Sequence, residues 1–252
     1  MDHFDPAQQA DRYQRIQNHP GRTATSRWDS LQRIHKVLQA NESEILQLID
    51  AVQNDEEAAI EVMRNVGRAG SAEVYFDELI RRSHNYLSAL KMLVDHTRNL
   101  MRHYENEPVA VEYARRIREV VETGRAPFLQ KLRDYLVHYQ IPPFALTISF
   151  ANDAPVTFVV ALERDAALEY KDWPANAKKY LKQRPEKINF RDEITAYSAD
   201  LEGIYRWLYE RFTELHGHEI DEFNNLIVEF QGARNTPGHP DYQLPPVPEE
   251  FD

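Results

Sequence analysis

The stretch Phe128-Leu-Gln-Lys-Leu-Arg-Asp-Tyr-Leu-Val-His-Tyr-Gln-Ile-Pro-Pro143 separates the two kinds of structure that this sequence predicts. Before it, apolar residues recur every three or four positions, which is typical of helices with one buried face. The proline pair ends that pattern, because proline cannot continue a helix and restricts the residue before it. After it the apolar period becomes two, as in a β-strand. The chain is therefore predicted to change from helices to strands at this point.

The composition favours an intracellular helical protein. The 252 residues suffice for a substantial core, and there are only eight glycines. The absence of cysteine excludes disulfides, zinc–thiolate sites, iron–sulfur clusters and cysteine nucleophiles. No signal peptide is predicted, and no apolar run approaches the roughly 18 residues of a membrane span. We expect a cytoplasmic protein that does not enter a membrane.

Three regions follow from the composition along the chain. Residues 1–25 predict a polar segment with a short helix followed by a loop. Residues 26–231 predict a single helical domain, and residues 232–252 a disordered Pro-rich tail. Within the domain, Asn41 begins a candidate capping box that would divide a long helical run, and Gly217 marks a candidate kink or break in the last helix.

A β-hairpin is predicted at about 145–163. Two segments with alternating apolar residues flank Asn152-Asp-Ala-Pro155, which suits a four-residue hairpin loop. Because two strands alone are marginally stable, the hairpin has to pack against helices. The predicted fold is mainly α, a multi-helix bundle with long antiparallel helices and one inserted β-hairpin.

The sequence predicts no cofactor and no bound metal. It has no glycine-rich phosphate loop and no His-Glu-x-x-His motif. His216-Gly217-His218-Glu219 resembles a ligand cluster, but helix positions two apart point about 200° apart. A solvated polar turn is the favoured interpretation, and a metalloenzyme that uses His216 and His218 is the weakest alternative.

Arg133-Asp-Tyr-Leu-Val-His138 resembles the signature of the HEPN superfamily, in which a polar residue follows an arginine and a histidine comes four to six residues after it. The resemblance covers about residues 72–143. It implies a helical bundle and, in active members, metal-independent RNA cleavage across a dimer interface. By this resemblance Arg133 holds the scissile phosphate, His138 handles the proton of the 2′-hydroxyl, and Asp134 orients or polarises His138.

These residue types suit the chemistry. A guanidinium binds a phosphodiester well, and histidine serves as a general base or acid near neutral pH. Asp134 and His138 share a helix face, whereas Arg133 lies about 140° away from His138 around the helix. The structural alternative is that Arg133 and Asp134 form ordinary ion pairs while His138 favours the helix C-terminus.

Other segments fit the same pattern. They are Arg98–His103, Arg234–His239 in the tail and, without the polar second position, Arg211–His216. The first is a real rival, since asparagine is the favoured second residue of the family. The later copy is favoured because it closes the helical run, ends at the proline pair and lies in a basic segment.

Two basic stretches are candidate RNA contacts in a chain with a net charge of −11. Such a charge argues against wholesale binding of nucleic acid, so local positive surfaces matter. In the second stretch Trp173 and Tyr180 are interleaved with the cations, as on a surface that stacks single-stranded bases. The alternative is a solvated helix face. The candidate residues are Arg115, Arg116, Arg118, Arg125, Lys131, Lys178, Lys179 and Lys182.

The sequence thus supports two main hypotheses. The first is a HEPN-like RNA-binding or RNA-cleaving homodimer of the toxin or defence kind. The second is a non-catalytic interaction or regulatory protein that binds another protein through its long helices. Exposure of Arg133 and His138 in a groove with basic neighbours would favour the first, and burial of both in ion pairs would favour the second.

Overall fold

The computed structural model describes residues 5–64, 71–149 and 156–234. Helices dominate this part of the chain, and a small antiparallel sheet interrupts them. The elements in chain order are α1 (Pro6–Asn18), α2 (Pro20–Gln53), α3 (Glu56–Arg64), α4 (Ser71–Arg102), α5 (Pro108–Glu122), α6 (Arg125–His138), β1 (Phe144–Ser149), β2 (Thr157–Glu163), α7 (Arg164–Leu168), α8 (Ala175–Lys182), β3 (Lys187–Asn189) and α9 (Phe190–Arg234). None of these helices combines the length and apolar composition that crossing a membrane requires.

Residues 31–208 form one compact unit with an apolar and aromatic core. The buried positions of α4 recur every three or four residues, so one face of this helix points inward. Completely buried side chains on that face are Leu79, Tyr86, Leu87, Leu90 and Leu93. Helix α4 packs against α3 and α6, which places α6 on the core of this unit.

The sheet has the strand order β1-β2-β3, and both pairings are antiparallel. Phe144 of β1 lies opposite Leu162 of β2, and Ala161 lies opposite Asn189 of β3. The ring of Phe144 packs 4.9 Å from that of Phe190, the first residue of α9. This contact attaches the sheet to a helix, as so small a sheet requires.

A second compact unit consists of residues 1–30 and 209–252, of which 5–30 and 209–234 are described. Its apolar cluster comprises Ile16, Phe223 and Leu226, with Ile227 and Phe230 packed against them. A Cβ atom on Gly21 would lie 2.1 Å from the carbonyl oxygen of Glu219. Glycine is therefore required where the start of α2 approaches the end of α9.

The predicted fold class is confirmed, since the chain is mainly α with a hairpin of β1 and β2. Three details were wrong. Helix α2 runs unbroken through Asn41, whose side chain donates to the Val37 carbonyl instead of capping a new helix. It begins at Pro20, where a loop was predicted, because proline suits the first helical turn. Helix α9 also continues through Gly217 without a break, whereas a kink at this glycine stays a prediction.

Two short elements were not predicted from the sequence, and some predictions concern residues that the structure does not describe. Strand β3 and helix α7 are too brief to show a periodic pattern. Helix α9 continues past residue 232, where the predicted tail starts, and residues 235–252 of that tail lie outside the described residues. The hairpin loop at Asn152–Pro155 also lies outside them. The single domain over residues 26–231 stays a prediction.

Candidate functional site at the end of α6

Helix α6 is held on the core by one face, and the other face carries the candidate motif. The buried residues of α6 are Ala126, Phe128, Leu129, Leu132 and Tyr135. The helix packs against α4, α5 and α8. Gly124 precedes it with φ of 85°, and a Cβ there would lie 2.6 Å from that of Tyr180 in α8. Only glycine allows this close corner, which fixes the start of α6 beside α8.

Asp134 binds two cations of its own helix. Arg133 Nη1 lies 3.3 Å from Asp134 Oδ1, and Lys131 Nζ lies 3.2 Å from Asp134 Oδ2. The side chains of Arg133, Asp134 and Lys131 are 32%, 35% and 27% exposed. Burial opposes the charge of Lys131, but the hydrogen bonds and charges of Asp134 and Tyr170 raise its pKa overall. Arg133 thus bends toward Asp134 and keeps part of its guanidinium accessible.

His138 is exposed in the last turn of α6. Among the described residues, no hydrogen bond joins Asp134 to His138, although the two are four residues apart. The carboxylate of Asp134 is instead directed to Arg133 and Lys131. Asp134 therefore positions the arginine in this structure, whereas the family resemblance implies that it orients or polarises His138.

An aromatic cluster supports this end of α6, and sequence reasoning did not identify it. The ring of Tyr135 lies 5.3 Å from Tyr170 and 5.9 Å from Trp173, and Tyr139 lies 5.0 Å from Tyr170. Lys131 Nζ lies 5.8 Å above the Tyr170 ring, within the range of a cation–π contact. The recurrence of tyrosine at positions 135 and 139, one helical turn apart, was the available signal.

Exposed apolar side chains precede and follow His138 in the chain. Val137 is 40% exposed, Tyr139 47% and Ile141 65%. Several neighbouring apolar residues in contact with water mark an interaction surface more often than isolated ones do. We refer to Val137, Tyr139 and Ile141 as the α6-end surface.

Three of the predicted RNA-binding arginines are engaged in ion pairs. Arg115 binds Glu112 and Glu119, and Arg116 binds Glu112 at 2.8 Å. The guanidinium of Arg116 also lies 4.7 Å from the centre of the Trp207 ring. Their positive charge is largely compensated locally.

Arg125 is the third of these arginines and is directed inward. It lies 3.3 Å from Glu193 and 3.5 Å from Asp200, both in α9. Its side chain is 23% exposed. This arginine therefore joins α6 to α9 more than it presents charge to solvent.

Apart from Lys131, which binds Asp134, the other predicted cations are available. Arg118, Lys179 and Lys182 are exposed and Lys178 is half-buried, and none of them forms an ion pair within the described part of the chain. The three lysines lie on α8, which packs against α6. Trp173 and Tyr180 are buried, so they do not offer stacking faces to bases.

The rival motif lies at the end of α4. Arg98 is 57% exposed and lies 3.6 Å from Asp95, and His103 is exposed in the turn after the helix. Of the other two matches, Arg234–His239 extends beyond the described residues. Arg211–His216 lies within α9, where Arg211 pairs with Glu214.

The histidines of α9 form contacts within the helix. His216 Nδ1 lies 2.8 Å from Glu219, and His218 Nδ1 lies 3.5 Å from Glu222. Because α9 is unbroken, His216 and His218 point in different directions. The described residues contain no group of three or more His, Cys, Asp or Glu side chains arranged to hold a metal ion.

Comparisons with protein-family models, curated proteins and solved structures found no match for this chain. Function has to be inferred from the chain's own residues.

Proposed function

We propose that this chain is a HEPN-like RNA-binding protein of the toxin or defence kind that cleaves RNA without a metal ion, as a homodimer. One observation carries the proposal. His138 is exposed and Arg133 is about one-third exposed at the same end of α6. A base and a phosphate-binding group are thus both accessible to a substrate, and neither is sequestered in the core.

The proposed reaction is a transesterification within the RNA. Arg133 binds the scissile phosphodiester through charge-assisted hydrogen bonds. His138 takes the proton of the 2′-hydroxyl, and the 2′-oxygen attacks phosphorus. The bond from phosphorus to the 5′-oxygen breaks, and that oxygen takes up a proton. The products are a 2′,3′-cyclic phosphate and a 5′-hydroxyl, without change of oxidation state.

The role of Asp134 in this proposal differs from the one that the family resemblance implies. Its carboxylate holds Arg133 at 3.3 Å, which restricts the guanidinium before substrate arrives. Arranging a binding group in advance reduces the entropy lost when the substrate binds. Asp134 is therefore a positioning residue for Arg133.

The α6-end surface supports a homodimer. Val137, Tyr139 and Ile141 lie next to His138 in the chain, and packing two copies through them would remove apolar area from water. Such packing would bring two copies of Arg133 and His138 together. Sedimentation velocity tests this: wild type should sediment as a dimer, and Ile141→Asp should shift it toward monomer.

The second candidate is a non-catalytic interaction or regulatory protein. The observation that favours it is the compensation of charge near the motif. Asp134 offsets part of the charge of Arg133 and Lys131, and Glu112 and Glu119 together offset Arg115 and Arg116. In this case the α6-end surface binds a protein partner, and RNA is not a substrate.

Cleavage of mixed-sequence RNA in EDTA distinguishes the two functions. Wild type should release fragments that end in 2′,3′-cyclic phosphate. His138→Ala and Arg133→Ala should each lower the rate at least about 100-fold, the lower range for a general base. His103→Ala is the matched control, because it removes the exposed histidine of the rival motif.

Each outcome has a distinct meaning. Loss of cleavage only in His103→Ala would move the site to the end of α4. Equal activity in wild type and both α6 variants, or no activity in any of them, would contradict RNA cleavage at α6 and favour the interaction protein. Circular dichroism of every variant excludes unfolding as the cause.

A further inference from the structure

A cavity of about 630 Å³ lies in the unit of residues 31–208, between the walls formed by α2 and α9. Its volume is within the range of small-molecule sites. It is separate from the motif on α6, so binding of a ligand there does not depend on the proposed RNA cleavage. Polar or titratable residues that line it include His35, Glu42, Asp50, Arg191, Ser198 and Glu202.

The lining of the cavity is negatively charged. Asp50 already has a partner, because Arg191 binds it through two nitrogens at 2.6 and 3.1 Å. Glu202 binds Arg206 of the same helix at 3.3 Å, and Glu42 remains as an additional carboxylate. Burial lowers the pKa of His35, against the opposing charge of Glu202, so this imidazole is neutral at neutral pH. The described lining therefore has more negative than positive charge and favours a cationic ligand.

Glu42 is the carboxylate that lacks a counter-ion. It is half-buried, and burial raises its pKa against the opposing influence of the nearby Ser198 hydroxyl. Among the described residues, no Lys or Arg forms an ion pair with it. A carboxylate removed from water without a cation is unfavourable, and a bound cation would relieve that cost.

The Ser198 hydroxyl, which lines the cavity with Glu42, supplies a second observation, whereas Tyr86 is not one of the lining residues. Tyr86 of α4 is completely buried, and its pKa is raised by burial first and then by the charge of Glu42. Neither the Tyr86 hydroxyl nor the Ser198 hydroxyl has a hydrogen-bond partner at normal distance and angle. Ser198 is nevertheless close enough to lower the pKa values of Tyr86 and Glu42 weakly. Buried hydroxyls without good partners usually have a water or ligand to satisfy them.

We propose that this cavity binds a small aliphatic amine through its primary ammonium group, with Glu42 as the counter-ion. A primary ammonium has three hydrogen-bond donors, which suit the acceptors that line the cavity here: the two carboxylate oxygens of Glu42 and the hydroxyl of Ser198. The side chains of Leu38 and Leu201 line the same cavity and contact the alkyl chain. The occupant is an organic cation, because the site combines one free carboxylate with the Ser198 hydroxyl and apolar side chains.

Calorimetric titration with n-butylamine and putrescine, at neutral pH and low salt, tests the charge requirement. Both amines should bind saturably, and 1-butanol, which has the same alkyl chain without the charge, should not. Glu42→Gln should weaken amine binding at least about tenfold, since it removes one charge-assisted contact. Glu44→Gln on the same helix is the matched control and should leave binding unchanged, because Glu44 is exposed and does not line the cavity.

A measurement on the wild-type chain keeps the proposal testable if Glu42→Gln does not fold. The carboxyl carbon of Glu42 is followed by NMR through a pH titration with and without saturating n-butylamine. The pKa of Glu42 should fall when the amine is bound, because ligand and proton are linked through the same carboxylate.

Three results would overturn the proposal. They are an absence of amine binding at millimolar concentration, equal binding of 1-butanol, and a Glu42 pKa that does not respond to the amine. Loss of RNA cleavage in any α6 variant has no bearing on these results.

Discussion

The Tyr180 hydroxyl donates a hydrogen bond of 2.5 Å to Glu193, a carboxylate that is only 5% exposed. Arg125 of α6 reaches the same carboxylate at 3.3 Å and also lies 3.5 Å from Asp200. Helices α6, α8 and α9 are thus joined by one polar network at the start of α6. A buried carboxylate needs such partners, because its desolvation is costly when it is left alone.

We expect Tyr180→Phe to lower the free energy of unfolding by about 1–3 kcal/mol, since it leaves a buried acceptor with one partner fewer. Urea denaturation measures the change. Tyr209→Phe is the matched control, because Tyr209 is 51% exposed and should change stability by less than about 0.5 kcal/mol. Equal effects of the two substitutions would show that the network does not stabilise the fold.

Alkaline pH should destabilise the protein through its buried tyrosines. Burial is the largest cause that raises the pKa values of Tyr113, Tyr180 and Tyr197 to about 12. An unfolded tyrosine ionises near pH 10. The folded state therefore holds these protons more tightly, and that contribution is complete below pH about 10 and lost as pH rises toward about 12.

Urea denaturation at a series of alkaline pH values measures this effect, and ultraviolet absorbance reports tyrosinate. The free energy of unfolding should fall steadily over that range, and Tyr197→Phe should reduce the slope. A free energy that stays constant through the range would contradict the raised pKa values.

Two glycines with opposite surroundings give a paired experiment on stability. Gly124→Ala should destabilise the protein by about 1–3 kcal/mol, the usual cost of a strained backbone conformation, because φ is 85° and Cβ would lie 2.6 Å from that of Tyr180. Gly203 lies inside α9 and has no atom within 4 Å of a Cβ. Gly203→Ala should stabilise by about 0.4–1 kcal/mol. Thermal unfolding of both variants shows whether each substitution lowers or raises the stability of the protein. A Gly124→Ala variant as stable as wild type would contradict the close approach of α6 and α8.

The uncompensated lysines of α8 should dominate any binding of RNA. We expect replacement of Lys178, Lys179 and Lys182 by alanine to reduce the slope of log affinity against log salt by about 2, at roughly 0.7 per charge for a single strand. Arg115→Ala should change the slope little, because Glu112 and Glu119 already neutralise that arginine. Fluorescence anisotropy with single-stranded RNA at several salt concentrations provides the measurement. A larger change of slope in Arg115→Ala than in the triple lysine variant would place the RNA on α5 instead of α8.

Helix boundaries were predictable where a local signal is strong. Proline at positions 108 and 142–143 marks real boundaries, since α5 begins at Pro108 and β1 begins just after Pro143. Asn41 and Gly217 misled the sequence analysis because their local preferences are weak. Packing of the helical residues before and after each position outweighs such a preference, so α2 and α9 stay continuous.

The sequence made exposure of Arg133 and His138 the result that separates the two hypotheses, but it predicted neither that exposure nor the pairing of the side chains. Helical periodicity placed Asp134 and His138 on one face. It could not show that Arg133 and Lys131 bind Asp134, because these competing contacts depend on side-chain conformations. The charge of an arginine in a sequence likewise does not reveal whether a carboxylate compensates it, as Glu193 does for Arg125.

The sequence by itself determined that the chain is mainly helical, that its pattern changes to strands after Pro143, and where Arg133, Asp134 and His138 lie along one helix. These properties depend on neighbours within a few residues, which periodicity and proline report directly. Tertiary structure alone decided the cavity beside Glu42 and the network of Tyr180 with Glu193. Both bring together side chains from different helices, and their burial, charge and hydrogen bonding arise only when those helices pack.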